Sequence, residues 1–204
     1  MSAEERRRDR VATFSDGVFA VVITILVLEL RPPASASFSA LLSLWPTALS
    51  YAVSYLFIAV VWVNHHHLFG YAESATRRLV WSNFAHLFSV SLIPFSTAWI
   101  AQTKLAAVPV SLYAGIFVLV NITYLLLCVE AVDRPASTEV APGARMMMRV
   151  RSLVTLGIFA AAAVVALAYP IGGMGLICLC LVVYLRPEAP SVRLNRSHAA
   201  EHNP

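Results

Sequence analysis

The sequence predicts an all-α membrane protein built from six membrane-spanning helices. Of its 204 residues, 59% are hydrophobic and only 13% are charged, which is too little charge to cover the surface of a soluble domain. Six apolar segments approach or exceed the roughly 20 residues that a helix needs to cross a bilayer. The predicted spans are residues 11–30, 41–66, 79–101, 108–131, 152–169 and 171–186.

The connections between these spans are too short to hold a soluble domain. The sequence therefore predicts an N-terminal tail at 1–10, one membrane domain at 11–186 and a disordered C-terminal tail at 187–204. The last two spans meet at YPIGGMG, whose proline and glycines predict the tight turn of a helical hairpin. Pro94 predicts a kink within the third span, because proline has no N–H to donate to the helix.

The distribution of basic residues predicts that both termini are cytoplasmic. Thirteen of the fifteen lysines and arginines fall in the two tails, in the connection between spans two and three, and in the connection between spans four and five. The opposite side carries only Arg31 and Lys104. Basic residues near span ends are enriched on the cytoplasmic side of a membrane, which fixes the predicted orientation.

Polar residues of three spans are predicted to lie at one depth near the cytoplasmic end. Asp16, next to Ser15, lies about 8 Å inside the first span at 1.5 Å per residue. The second span ends on this side with VWVNHHHLF, and the third begins there with VWSNFAHLF. A lipid-facing carboxylate costs about 2.5–3.5 kcal/mol on insertion scales. We therefore predict that Asp16 faces inward and accepts hydrogen bonds from histidine, tryptophan or asparagine donors of the other two spans.

The same residues allow simpler interpretations. Tryptophans near a membrane boundary are common interfacial anchors, and histidines there can contact headgroups. A metal site is not expected, because successive helical residues point about 100° apart and residues 65–67 cannot together bind one ion. The sequence also has no nucleophile beside a base, so no enzyme is predicted. A histidine beside Asp16 can change its charge near neutral pH. The alternative function is therefore a proton-conducting channel or a proton-coupled transporter that uses Asp16 and these histidines.

One line of the first span is wholly apolar above Asp16. At 100° per residue, four side chains fall within about 40° of that carboxylate: Ala20, Ile23, Val27 and Leu30. Such a stripe faces lipid or a neighbouring helix in most membrane proteins, but rotational symmetry would bring copies of it together as a constriction that gates by dewetting. No TVGYG-type loop is present, so a potassium filter made of carbonyl oxygens is not predicted.

The first span resembles the R-x-x-x-F-S-D signature of the transmembrane protein 175 family. The matching residues are Arg10, Phe14, Ser15 and Asp16, and the resemblance continues through VWVNHHHLF, VWSNFAHL and IPF. It covers about the first half of the chain. Family members are potassium-permeable channels of endosomes and lysosomes, with shorter prokaryotic relatives that a single six-helix unit resembles. The resemblance thus implies a multi-pass potassium channel of the prokaryotic plasma membrane.

This resemblance also implies how the channel is assembled. It implies a homotetramer in the lipid bilayer, with the first helices around a central pore, without a cofactor or a nucleic-acid partner. Ile23 would form the narrowest apolar ring, with Val27 and Leu30 as further rings and Thr24 near the constriction. Val27 is smaller than the leucine expected there, so its ring is predicted to be wider. Potassium, rubidium and caesium are the implied permeant ions.

The resemblance assigns the polar residues to the cytoplasmic end of this pore. There the four signature residues would contact residues of the second and third spans. Three consecutive histidines leave open which of them takes part. The implied partners are Trp62, His65 or His66, Trp81 and Asn83.

Overall fold

A computed structural model describes residues 2–133 and 142–184 of the chain. These residues form helices joined by turns and short connections, with no strand among them, so the predicted all-α class is confirmed. A π-helical turn at Val129–Asp133 extends α6. The helices are α1 (Ala3–Leu28), α2 (Phe38–Leu42), α3 (Trp45–Tyr71), α4 (Arg77–Ser91), α5 (Ile93–Gln102), α6 (Ala107–Cys128), α7 (Pro142–Ala168) and α8 (Pro170–Tyr184).

Five helical segments of the described residues are long and apolar enough to cross a membrane. They are α1, α3, α4 together with α5, α6 with its π-helical turn, and α7. The last helix, α8, has 15 residues, fewer than the roughly 20 of a typical span. The sixth span therefore stays a prediction, and the predicted tail at 187–204 lies outside the described residues.

The first helix begins eight residues earlier than the predicted span and ends two residues sooner. Its start is fixed by a capping box, in which Ser2 Oγ accepts from the Glu5 N–H at 3.1 Å and the Glu5 carboxylate accepts from the Ser2 N–H. The helix ends at Leu28. Leu30 therefore lies two residues beyond the end of α1, where its N–H donates to the Val27 carbonyl at 3.1 Å.

The third predicted span is interrupted next to its proline. The first part, α4, ends at Ser91, and α5 begins at Ile93 with Pro94 in its first turn. Proline cannot donate the backbone hydrogen bond that would continue the helix. The hydroxyls of Ser96 and Thr97 donate to the Ile93 carbonyl at 2.9 and 2.8 Å. The helix thus ends and a new helix begins close to the predicted kink.

A close contact holds α7 against α8. A Cβ atom added to Gly173 would lie 2.6 Å from Ala166 Cβ and 2.9 Å from the Ala162 carbonyl oxygen. Only glycine allows the two backbones to approach this closely. The hairpin predicted from YPIGGMG is present, since α7 ends at Ala168 and α8 begins at Pro170.

The core of the bundle combines stacked aromatic rings with a small group of hydroxyls. Phe57 and Phe117 stack with centroids 3.6 Å apart. Beside them, Ser54 Oγ lies 2.6 Å from both Thr97 Oγ1 and Tyr113 Oη. Hydroxyls buried in a membrane protein need partners within the protein. This cluster therefore joins α3, α5 and α6 and positions the helices against which α1 packs.

Candidate functional site

Most of the α1 surface is open in the protomer. Its buried side chains are Ser15, Phe19, Val22 and Leu26, which recur every three or four residues and so share one face. Only 22% of its most apolar 18-residue window is buried, the smallest share among the five candidate spans. An apolar surface of this kind has to be covered by lipid or by protein.

A chain of three polar side chains joins α1, α4 and α3 at the end of the bundle where α1 and α4 begin. Asn83 Nδ2 donates to Ser15 Oγ at 2.9 Å, and Asn83 Oδ1 lies 2.8 Å from His65 Nε2. Because an amide oxygen only accepts, His65 is the donor. The Ser15 hydroxyl donates to the Val11 carbonyl at 2.9 Å. All three side chains are at most 1% exposed, so this chain of hydrogen bonds is shielded from lipid and solvent.

A second contact joins α3 to the carboxylate beside Ser15. Trp62 Nε1–H donates to Asp16 Oδ1 at 2.8 Å. Asp16 lies about 100° around the helix from its neighbour Ser15, on a half-exposed flank. The Trp62 ring also lies 5.7 Å from the ring of His66, measured between centroids. Among the donors predicted for Asp16, the structure therefore places a tryptophan at the carboxylate.

The consecutive histidines differ in burial. His65 is buried in the hydrogen-bonded chain, whereas His66 and His67 are exposed. His65 is thus the histidine that takes part, and Asn83 links it to Ser15. Within residues 2–133 and 142–184, no group of three or more His, Cys, Asp or Glu side chains is arranged to hold a metal ion.

Aromatic rings extend the contact between α1 and α4 at the protomer surface. Phe14 packs edge-to-face on Phe84, with centroids 5.7 Å apart. The Trp81 and Phe84 ring centroids lie 6.1 Å apart, and among the described residues Trp81 makes no hydrogen bond to the polar chain. Phe84 was not predicted to take part. The sequence pattern that could have indicated Phe84 is its position three residues after Trp81, because residues three apart lie on the same side of a helix.

Two arginines near the start of α1 occupy different environments. Arg10 is exposed, and the described part of the chain shows no hydrogen bond or ion pair that links it to the polar residues above. The predicted contact of Arg10 with residues of the second and third spans stays a prediction. Arg8 instead donates to the Ala72 carbonyl, just after α3, at 3.0 Å. Arg8 was not predicted to take part, because its acceptor is a backbone carbonyl far along the chain, which no side-chain pattern marks.

The predicted ring residues lie on the open surface of α1 or beside it. Ile23 is half-buried and packs against the apolar core, whereas Val27 is 45% exposed. The Thr24 hydroxyl is exposed and donates to the Val21 carbonyl of its own helix at 2.7 Å. Leu30, past the helix end, is 41% exposed. Their role as rings requires further copies of α1 and stays a prediction.

These contacts lie in the segment that matches a known family. The family described as "Endosomal/lysosomal potassium channel TMEM175" matches residues 10–94. Over 88% of this chain and 96% of the other, the fold is similar to the crystal structure of a lysosomal potassium-selective channel TMEM175 homolog from Chamaesiphon minutus, with a TM-score of 0.77 and 30% identity. The chain belongs to the TMEM175 family. The family resemblance seen in the sequence is thereby confirmed, and the matching family is a channel family rather than an enzyme family.

Two TMEM175 relatives show how far the sequence similarity extends. A potassium channel of Chryseobacterium sp. (strain P1-3) is 38% identical over 120 residues, which are 59% of this chain and 62% of that protein. The endosomal/lysosomal proton channel TMEM175 of Gallus gallus is 31% identical over 106 residues, 46% of this chain and 21% of that protein. The chain thus spans less than two thirds of the length of each of these curated relatives.

Proposed function

We propose that the chain is the subunit of a potassium-permeable cation channel in the plasma membrane of a prokaryote. The observation that carries this proposal is the similarity to the potassium-selective channel of Chamaesiphon minutus, with a TM-score of 0.77 over 96% of that chain. The five candidate spans and the polar contacts around the signature residues support it. Both termini lie in the cytoplasm in this proposal, in agreement with the positive-inside distribution.

In the proposed assembly, four protomers surround a central pore lined by α1. The support is the low burial of α1 in the protomer: a homotetramer covers part of its apolar surface with neighbouring copies and leaves another part facing the pore. The remaining helices then lie outside α1, toward the lipid. This arrangement requires neither a re-entrant loop nor a cofactor.

Ile23 forms the proposed constriction, with Val27 and Leu30 as wider apolar rings toward the outside. An apolar ring offers an ion no oxygen atoms in place of its hydration water, so passage requires partial dehydration. Potassium, rubidium and caesium hold their water more weakly than sodium, and they pass more readily. The Thr24 hydroxyl lies next to the constriction and contributes a polar group there.

The polar contacts at the cytoplasmic end set the rotation of α1 in this proposal. Turning the helix by one residue, about 100°, would move Ser15 away from Asn83 and also move Ile23 off the pore axis. The Asn83–Ser15 and Trp62–Asp16 hydrogen bonds oppose such a rotation. Arg10 is exposed in the protomer. In this proposal it contacts groups that lie outside the protomer.

Ion flux into liposomes tests the proposed activity. The full chain is reconstituted into liposomes, and flux is measured with potassium, rubidium, caesium or sodium as the only permeant cation. We expect potassium, rubidium and caesium to pass faster than sodium, with protein-free liposomes as the control. Equal rates for sodium and potassium would contradict the selectivity, and no cation flux would contradict the channel.

A proton-conducting channel or proton-coupled transporter is the second candidate, since the Gallus gallus relative is named a proton channel. Asp16 and the histidines of α3 would carry the proton. The hydrogen bond of Asp16 to Trp62, rather than to a histidine, favours a structural carboxylate. Proton flux driven by a pH gradient across liposomes tests this function with Asp16→Asn. A carrier role predicts loss of proton flux, and unchanged flux rules it out.

A further inference from the structure

A small, partly open cavity lies between helices of the protomer, away from α1. It has a volume of about 30 Å³ and lies among α3, α4, α6, α7 and α8, and no α1 residue contributes to its wall. One part of the wall is apolar and includes Phe57 and Phe159. The other part is polar and includes His86 from α4, Asn121 from α6 and Thr155 from α7. The cavity is thus separate from the proposed conduction pathway.

Two polar atoms of this wall lack a partner. His86 Nε2 and Asn121 Oδ1 are buried without a hydrogen bond, and no other side-chain nitrogen or oxygen of the described residues shares this condition. The His86 side chain is 0% exposed. An unpaired buried polar atom is unfavourable, and more so where the local dielectric is low. Both residues line the same cavity, so one small ligand inside it is a candidate partner for both atoms.

The surrounding hydrogen bonds indicate which kind of atom this ligand must present. His86 Nδ1 lies 3.1 Å from Thr123 Oγ1. The single Thr123 hydrogen has other acceptors at 2.8–3.0 Å, namely Ser89 Oγ and two carbonyls of its own helix. In the tautomer that carries its proton on Nδ1, His86 donates to Thr123 Oγ1, and Nε2 is left as an acceptor. In that tautomer His86 Nε2 and Asn121 Oδ1 are two unpaired acceptors, and a small ligand with two donor hydrogens can pair with both.

We propose that this cavity is a water-binding site in which one water molecule donates to both His86 Nε2 and Asn121 Oδ1. A cavity needs about 10–15 Å³ of space to hold a water molecule, together with two to four polar partners, and this one meets both requirements. With the other histidine tautomer the same water accepts from Nε2–H and donates to Asn121. In either case the water links α4 to α6 within the bundle.

The water site lies directly behind the polar chain that contacts α1. The rings of His86 and His65 are nearly parallel, with an interplanar angle of 7° and centroids 5.9 Å apart. By fixing the His86 ring, the water supports the ring of His65, which donates to Asn83. The water site lies within a single protomer and does not depend on whether the chain conducts potassium.

A high-resolution experimental structure of the wild-type full chain in lipid nanodiscs tests the site directly. We expect a density peak for water at about 2.7–3.2 Å from both His86 Nε2 and Asn121 Oδ1. Well-resolved side chains with an empty cavity between them would overturn the proposal. So would a direct hydrogen bond between the two residues.

Stability measurements on a double-mutant cycle give a second test, which needs no water density. Asn121→Leu removes one water partner and leaves His86 Nε2 unpaired, so we expect its Tm to fall by about 2–4 °C. His86→Leu has the converse effect, and the double variant should lose less than the sum of the single losses. A rise in Tm for Asn121→Leu would indicate a dry cavity and overturn the proposal.

Thr155→Val provides the matched control for this cycle. Thr155 lines the same cavity, but its hydroxyl already donates to backbone carbonyls of its own helix. The change in Tm caused by Thr155→Val should therefore add to the change caused by Asn121→Leu. If His86→Leu fails to fold, the sign of the Tm change in Asn121→Leu still decides between a hydrated and a dry cavity.

Discussion

Asn83 Nδ2 donates to Ser15 Oγ at 2.9 Å, which connects α4 to the first helix through two fully buried side chains. The other end of the Asn83 amide accepts from His65 at 2.8 Å. The asparagine is thus paired on both sides, and α1, α3 and α4 meet at one residue. Loss of any partner leaves a buried polar atom unpaired, which is the most costly outcome for a hydrogen bond.

Ser15→Ala is expected to lower the free energy of unfolding by about 1–3 kcal/mol, because the Asn83 amide loses its buried acceptor. Thermal unfolding of the purified chain in detergent measures the change. Ser91→Ala is the matched control: Ser91 is exposed and donates only to the Phe88 carbonyl of its own helix. Equal losses in both variants would contradict the importance of the Asn83–Ser15 contact.

Asp16→Asn and Trp62→Phe separate the charge of the carboxylate from its hydrogen bond. The asparagine keeps an oxygen that accepts from Trp62, so potassium flux should be retained. The phenylalanine keeps an aromatic ring but has no N–H to donate, and its potassium flux should fall. Liposome flux at equal protein density checks both variants. Flux that is lost in Asp16→Asn and retained in Trp62→Phe would show that the charge, not the hydrogen bond, is required.

Gly173→Ala is expected to destabilise the protein by about 1–3 kcal/mol, because overpacking a close contact forces backbone shifts. Its new Cβ would approach Ala166 Cβ to 2.6 Å. In the control variant Gly172→Ala, the nearest atom lies at 3.5 Å, an ordinary contact distance. Tm values of the two variants should therefore differ clearly. A neutral Gly173→Ala would mean that α7 and α8 are not packed this closely.

Ile23→Asn should weaken the preference for potassium over sodium, since a polar side chain at the constriction gives ions a substitute for hydration water. The ratio of potassium to sodium flux in liposomes measures this preference. Ile25→Asn introduces the same change about 200° around the helix axis from Ile23. The control should leave the ratio unchanged. An unaltered ratio in Ile23→Asn would remove Ile23 from the proposed constriction.

The fold was largely predictable because a bilayer leaves the chain few choices. Long apolar segments have to be helical, and Pro94 and the glycines after Tyr169 mark where helices break or turn. The boundaries of α1 were less accurate. Ser2-x-x-Glu5 is a capping-box pattern that signals a helix start at Ala3, but the charged residues after it resemble a tail. No comparable pattern showed that the helix stops before Leu30.

The site was predictable in its location but not in its pairings. Lipid penalises unpaired polar groups, so those of α1, α3 and α4 had to converge. Which donor meets which acceptor depends on small helix rotations that the sequence does not encode locally. The contacts of His86 with Thr123 were missed for another reason. Threonine in a membrane helix commonly bonds to its own backbone, so its sequence position does not reveal a partner.

An electron cryomicroscopy structure of the full chain in lipid nanodiscs tests whether α1 lines a tetrameric pore. It counts the subunits and locates α1 in a single measurement. We expect four copies around a central axis, with α1 lining the pore and Ile23 pointing at the axis at its narrowest point. A dimer whose α1 helices face lipid would contradict this arrangement.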